Sequence, residues 1–234
     1  LQYITNGDKS YQATVVLGAA TVTDDVEGEV ISRGDVSAIT DSQIEAELVK
    51  MCGTIMQRPS SVSAVKVDGE RAYDRVRAGE SVELAAREVT ISQLDITAIR
   101  RIENAIEVDI EVTCSAGTFI RAIARDCGDS LAVGGHLNAL RRTRVAGFGL
   151  DKAISLTSLK AGEFATLPLV DVARTTFSAR ELALEEVNEL SFGRPLSANP
   201  DEAIYAAICG EELIALLCNK DGLAKPIAVF AAAN

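Results

Sequence analysis

From Ile106 to Cys114 the chain alternates without a break. Ile106, Val108, Ile110, Val112 and Cys114 are apolar; Glu107, Asp109, Glu111 and Thr113 between them are polar and mostly acidic. Successive side chains of a strand point to opposite faces, so a period of two predicts one face in a core and an acidic face in water. That half-buried pattern belongs to antiparallel sheets, which fixes the kind of fold open to this chain. Residues 88–102 precede it across Glu103-Asn104 and predict its antiparallel partner. Residues 11–17 (YQATVVL), β-branched and closed by Gly18, read as a further strand.

Helices are expected between these strands. Thr40 opens one, with Gln43 at capping-box spacing. Ile44, Leu48, Val49 and Cys52 make its apolar stripe, and Gly53 ends it. The loop Ser115-Ala116-Gly117-Thr118 leads into another, with Ile120, Ile123, Cys127 and Leu131 on one face, Thr118 as N-cap and Arg121 in the first turn. Gly134-Gly135 closes that unit. In residues 59–79 (PSSVSAVKVDGERAYDRVRAG) we expect a strand over 61–67, a turn at Asp68-Gly69 and a short helix over 70–78. After a linker at 151–167 the character changes. Phe192-Gly193-Arg194-Pro195 is a turn, residues 203–209 and 213–218 are strands around Gly210, and a last strand follows Asp221-Gly222 and ends near Phe230. The chain therefore reads as α+β, with a domain over 1–150 and a small β-rich domain over 168–234.

Charge bears on the partner. A net charge of −11, from 23 Lys and Arg against 34 Asp and Glu, argues on its face against a polyanion. Its distribution argues the other way. Lys66, Arg71, Arg75 and Arg77 form one short basic cluster, and Arg141, Arg142 and Arg144 form a second. On an acidic background these predict a narrow footprint for a phosphate backbone. A hydrophobic content of 47 % excludes disorder. No apolar run approaches the roughly 18–20 residues of a membrane span. The five cysteines are widely spaced with no CxxC, so buried reduced thiols are expected rather than a zinc site or a disulfide framework. His136 is the only histidine, which removes a Ser-His-Asp triad and an ordinary metal site and leaves it a capping or packing role. No GxGxxG or P-loop pattern supports a nucleotide cofactor.

Two residues stand out for chemistry. Arg121 sits where a helix presents its positive end, so it needs an anionic partner, a carboxylate or a phosphate. Tyr11 offers a flat ring for stacking and a hydroxyl for proton transfer, although most strand tyrosines only pack.

Asp8-Lys9-Ser10-Tyr11 with its strand, Thr23-Asp24-Asp25-Val26-Glu27-Gly28, Pro59-Ser60-Ser61-Val62-Ser63-Ala64-Val65-Lys66, Gly117-Thr118-Phe119-Ile120-Arg121 and Leu140-Arg141-Arg142-Thr143-Arg144 occur in this order. On these motifs the chain resembles, over residues 1–150, the bacterial tRNA pseudouridine-55 synthases, the TruB family, in its actinobacterial form. Its C-terminal part is similar to the PUA-like appendage of such enzymes. The resemblance implies the pseudouridine synthase fold, a mixed and largely antiparallel sheet flanked by helices. It implies isomerisation of uridine 55 in the T-arm of tRNA, without cofactor or metal. In that family a catalytic Asp attacks the nucleoside, the glycosidic bond breaks, and the base reattaches through carbon after flipping from the stack.

The resemblance further implies roles for named residues. Tyr11 stacks on the flipped uracil and moves a proton, Arg121 pairs with the catalytic Asp, and Phe119 and Leu140 line the uracil pocket. The family often has Tyr where this chain has Phe119. Residues 59–79 match the family's RNA-gripping insertion, so Lys66, Arg71, Arg75 and Arg77, with Arg141, Arg142 and Arg144, are expected on the RNA backbone. A cytoplasmic monomer acting on tRNA, away from membranes, is the expected setting. The family's G-H-x-G-x-L-D-P motif, which carries the catalytic Asp and a base-flipping His, is not among the 234 residues. The chain opens on apolar Leu1-Gln2-Tyr3-Ile4 with no Met. The expectation is therefore an N-terminally truncated enzyme, inactive as written. The alternative is a non-catalytic RNA-binding or RNA-folding protein on the same scaffold.

Overall fold

The alternating segment lies inside a sheet, as its pattern requires. The computed structural model describes residues 2–60, 62, 66–67, 70–71, 84–199 and 203–230. They fall into two units, Leu1–Leu150 and Asp151–Asn234. The strands of the first unit are β1 (Lys9–Leu17), β2 (Ala19–Thr21), β3 (Val30–Arg33), β4 (Gly53–Gln57), β5 (Lys66–Val67), β6 (Glu70–Arg71), β7 (Arg87–Ile102), β8 (Ala105–Cys114), β9 (Gly135–Val145) and β10 (Phe148–Gly149). Six of them make one sheet in the order β10-β9-β1-β8-β7-β4, every neighbouring pair antiparallel. Its apolar face is read directly off the register. Tyr11, Ala13, Val15 and Leu17 of β1 lie opposite Val112, Ile110, Val108 and Ile106 of β8. The helices α1 (Gln2–Thr5), α2 (Asp41–Val49) and α3 (Ile120–Ser130) complete this unit. Ile44 and Leu48 of α2 and Ile120, Ile123 and Cys127 of α3 join the sheet in one core. Each fully buried Leu or Ile contributes roughly 1.5–3 kcal/mol there.

The helix ends carry both agreement and correction. Thr40 caps α2 in a complete capping box with Gln43. The helix stops at Val49, so Val49 and Cys52 are exposed instead of continuing the stripe. Gly53 opens β4 instead of capping the helix. At α3 the N-cap is Phe119, not Thr118, because the Thr118 hydroxyl donates to the Ser115 carbonyl at 3.0 Å. Gly135 begins β9 against α3: a Cβ on Gly128 would lie 2.2 Å from the Gly134 carbonyl carbon, and one on Gly135 would lie 2.1 Å from the Ala124 oxygen. Only two glycines let helix and strand backbones approach this closely.

In the 59–79 stretch, Lys66 pairs with Arg71 and Val67 with Glu70 in an antiparallel ladder. The helix expected from Glu70 is strand at Glu70 and Arg71, where cross-strand pairing takes the backbone hydrogen bonds. Val62 is a bend. Ser61, residues 63–65, the expected turn at Asp68-Gly69 and residues 72–83, with Arg75 and Arg77 among them, lie outside the described residues.

The second unit holds β11 (Ala179–Glu181), β12 (Leu196–Ser197), β13 (Tyr205–Cys209), β14 (Glu212–Lys220) and β15 (Leu223–Val229) in the order β11-β13-β14-β15-β12. β11 and β13 are parallel and the other pairs antiparallel. Helices α4 (Leu156–Ala161), α5 (Leu169–Thr176) and α6 (Leu184–Ser191) accompany this sheet. It has its own core, around Leu190, Tyr205, Ile214 and Leu217. The stretch read as a linker contains α4, capped by Ser155 and ended by Gly162 at φ +75°. Both units combine sheet and helix, and the class is α+β.

Candidate active site

Arg121 lies in the first turn of α3 and has the anionic partner that the helix dipole demands. Its Nη1 donates to Asp25 Oδ2 at 2.9 Å and to the Thr23 carbonyl at 2.8 Å, and its Nη2 donates to the Val62 carbonyl at 2.8 Å. Arg125, one turn on, repeats the arrangement. It donates to Asp24 Oδ2 at 3.2 Å and to the Arg58 carbonyl at 2.8 Å. Two arginines four residues apart on one helix face thus meet two adjacent aspartates. Asp24 takes a left-handed φ of 60°, a conformation aspartate tolerates better than most residues.

The aspartate loop is itself fixed. Val26 N–H donates to the Leu137 carbonyl at 2.8 Å, and Leu137 N–H donates to the Asp24 carbonyl at 3.0 Å. Asp25 Oδ1 accepts from Thr23 Oγ1 at 2.5 Å and from the Glu27 N–H at 3.1 Å. Both carboxylate oxygens are therefore engaged. Asp25, Arg121, Leu137 and Leu140 line a cavity of about 260 Å³, with Val26 and Ala139 beside them. The expected site residues Arg121 and Leu140 meet here. Glu27 and Asn138 complete its lining, so Leu137 and Leu140 share the wall with one guanidinium and two carboxylates.

Tyr11 and Phe119 lie outside the lining of that cavity. Tyr11 is opposite Arg142 on β9 and on the same face of β1 as Ala13, whose β9 partner is Leu140. Burial pushes the Tyr11 hydroxyl above the usual tyrosine range, and the Arg142 side chain acts the other way. Phe119 carries the guanidinium of Arg87 over its ring, 4.8 Å from the centroid.

The Arg141, Arg142 and Arg144 cluster divides. Arg142 shares the Tyr11 face. Arg141 lines a different cavity of about 360 Å³ with Gln12, Thr14, Asp109 and Glu111, on the acidic face of the sheet. Arg144 donates to Ser10 Oγ at 3.1 Å and to the Ala146 carbonyl at 2.5 Å. Bulges between Ser10 and Tyr11 and between Thr14 and Val15 shift the register that adjacency in sequence suggests. Lys66 and Arg71 are placed on β5 and β6.

His136 has the packing role expected of it: its Nδ1 donates to the Ala19 carbonyl at 2.8 Å. Among the described residues no group of three or more His, Cys, Asp or Glu could hold a metal ion, and no helix is long and apolar enough to cross a membrane. The expectation of buried thiols holds for Cys114 and Cys127; Cys52 is exposed and Cys209 and Cys218 are half-buried. Sequence reasoning missed Asp25 as the partner of Arg121. The available signal was two adjacent acids in the short loop Thr23 to Gly28.

Three family models match consecutive stretches of the chain. The TruB family pseudouridylate synthase N-terminal domain matches residues 1–120, the tRNA pseudouridylate synthase B C-terminal domain matches 121–166, and the tRNA pseudouridine synthase II C-terminal model matches 177–231. A tRNA pseudouridine synthase B of Arthrobacter sp. is 47 % identical over 246 residues, spanning 100 % of this chain and 80 % of its own length. The protein of the same description from Mycobacteroides abscessus is 49 % identical over 97 % of this chain and 76 % of its own length. One from Thermobifida fusca is 41 % identical over 99 % and 80 %. Among solved structures, a chain of a Cbf5-Nop10-Gar1 complex superposes with a TM-score of 0.66 at 19 % identity, covering 99 % of this chain and 69 % of that one. A chain of an H/ACA RNP bound to a substrate RNA containing 2′-deoxyuridine gives 0.65 at 18 %, covering 98 % and 68 %. At such identities the likeness is one of fold.

Proposed function

The chain belongs to the TruB family of pseudouridylate synthases, and from that premise we propose that it serves the conversion of uridine 55 in the T-arm of tRNA to pseudouridine. The observation that carries this reading is Arg121, held at the mouth of α3 between Asp25 and a cavity walled by Leu137 and Leu140. In the reaction the bond between C1′ and N1 of the uridine breaks, the base turns, C5 bonds to C1′ with loss of its proton, and N1 takes up a proton. No oxidant or reductant is needed.

Arg121 is suited to hold a carboxylate ionised where burial favours the neutral acid. Leu140 gives the uracil an apolar contact, Phe119 an aromatic one, and Tyr11 stacks on the flipped base and moves a proton. Asp25, with both oxygens engaged, holds Arg121 in place rather than attacking. The reading assigns the nucleophile to no residue of these 234, which contain no G-H-x-G-x-L-D-P motif. Residues 59–79 and Arg142 grip the RNA, and the substrate is the T-arm stem-loop bound by a monomer in the cytoplasm.

The test uses the protein as its organism makes it and a T-arm stem-loop, with pseudouridine read by mass spectrometry after chemical labelling. Turnover at position 55 and none after U55→C is expected. In Arg121→Ala we expect kcat to fall by about 100-fold or more, the scale for losing a positioned charge, with tRNA Kd within about threefold. Equal large losses in both would make Arg121 a phosphate contact. Tight tRNA binding with no turnover would favour the non-catalytic alternative.

A further inference from the structure

Gln57, the last residue of β4, directs both ends of its side-chain amide at one neighbour. Its Oε1 accepts from the Phe119 N–H at 2.8 Å, and its Nε2 donates to the Phe119 carbonyl at 3.1 Å. The residue is only 2 % exposed. Phe119 is the N-cap of α3 and has no side-chain cap of its own. The N–H that a capping hydroxyl would normally leave to solvent is therefore claimed from outside the helix, by a buried amide.

Across the β4–β7 ladder the register partner of Gln57 is Arg87. Arg87 stacks on the Phe119 ring and donates from Nη2 to the Gly117 carbonyl at 2.5 Å. One end of one ladder thus holds the backbone of Phe119 through Gln57 and one face of its ring through Arg87. Two residues further on, Arg121 points at Asp25. The Ala122 N–H donates to the Phe119 carbonyl at 3.2 Å and closes the turn that holds Arg121, so a shift of Phe119 is passed on to Arg121.

We propose that Gln57 is a positioning residue for the site: together with Arg87 it sets the backbone and ring of Phe119 and, through the first turn of α3, the aim of Arg121. This rests on the functional reading above. Gln57 touches neither the cavity nor any reacting group, so it acts only through Phe119.

The discriminating variant is Gln57→Glu. A carboxylate at 57 still accepts from the Phe119 N–H, but it faces the Phe119 carbonyl with no proton to give. The protonated acid restores both contacts. Burial raises the pKa of a carboxyl at this position, so the neutral form extends to higher pH than usual. Divided by wild type at each pH, Gln57→Glu turnover is expected near unity at about pH 5.5 and about 10- to 100-fold lower by about pH 8.5, the scale for a misplaced catalytic group. Its tRNA Kd stays within about twofold of wild type. Gln57→Met, which fills the space but makes neither contact, is expected to be slow at every pH.

A second readout needs no turnover. Hydrogen exchange at the Phe119 amide is expected to be faster than wild type in Gln57→Met at every pH, and near wild type in Gln57→Glu, whose side chain accepts from that N–H in either protonation state. A ratio of turnover that is flat with pH in protein shown to be folded by circular dichroism overturns the proposal. So do parallel losses in kcat and tRNA binding. A wild-type protein that binds the T-arm without turnover overturns the functional reading; faster exchange at Phe119 in Gln57→Met would then record a fold contact alone.

Discussion

Cys127 and Cys52 lie at opposite ends of a scale set by burial. Cys127 is inside the core under α3, and burial, with Glu47 and Asp126 nearby, pushes its thiol up to about 12. Burial also raises the Cys114 thiol. Cys52 stands exposed between α2 and β4. Since the thiolate is the reactive form, a maleimide or iodoacetamide pulse at about pH 8 should label Cys52 first and leave Cys114 and Cys127 untouched until denaturant is added. Peptide mapping of the pulse checks this; early labelling of Cys127 would mean that α3 opens readily. Residue by residue, much of the candidate site was legible. An arginine in a helix's first turn demands an anion on electrostatic grounds alone, and Arg121 has one. That the anion is Asp25 was not legible, because a loop and a helix nearly a hundred residues apart meet only through the pairing of Leu137 with that loop. Gln57 was invisible for the same reason. Nothing in a glutamine ending a strand tells which distant peptide group it holds.

At the scale of elements, the long antiparallel pair β7 and β8 was the most legible, since sixteen and ten residues of strand leave periodicity room to declare itself. The capping box of α2 was equally clear, because it is built from residues three apart. Short elements were not. Thr118 has the composition of an N-cap, but its hydroxyl turns to the Ser115 carbonyl, a local choice that composition does not decide. Arg141 and Arg142 sit on opposite faces because strand side chains alternate, which the sequence allowed one to foresee. Arg144 was not foreseeable, since the bulge beside Tyr11 reverses the alternation there. The contact between α3 and β9 makes a firm prediction. In Gly128→Ala the new methyl would meet the backbone at 2.2 Å, with no flexible side chain to yield. Overpacking of this kind costs about 3 kcal/mol or more, so the thermal midpoint should fall by several degrees or the protein should fail to fold. A melting curve like wild type would mean that helix and strand lie further apart than described.

For the molecule as a whole, the placement of charge matters more than the net charge of −11, since a partner meets local charge rather than the total. Carboxylates gather on the outer side of the sheet, where Glu107 and Asp109 pair with Arg100 and Glu111 with Gln12. Bonding to Arg100 holds the Asp109 carboxyl below its ordinary range. Arg142 stands on the other side, with Tyr11. Binding of the T-arm through roughly four phosphate contacts should weaken about 100-fold between 50 and 200 mM salt. Filter binding across that range measures the slope, and a flat line would exclude a phosphate footprint.

The sidedness of the sheet also bears on how a tRNA arrives. On the outer side Arg100, Arg141 and Arg144 sit among Glu107, Asp109 and Glu111, so charges of both signs lie close together and their fields largely cancel at a distance. A polyanion meeting that side is therefore neither strongly drawn in nor strongly repelled. The same period-two alternation that folds residues 105–114 into a sheet thus also sets which charges an arriving partner meets on its outer side.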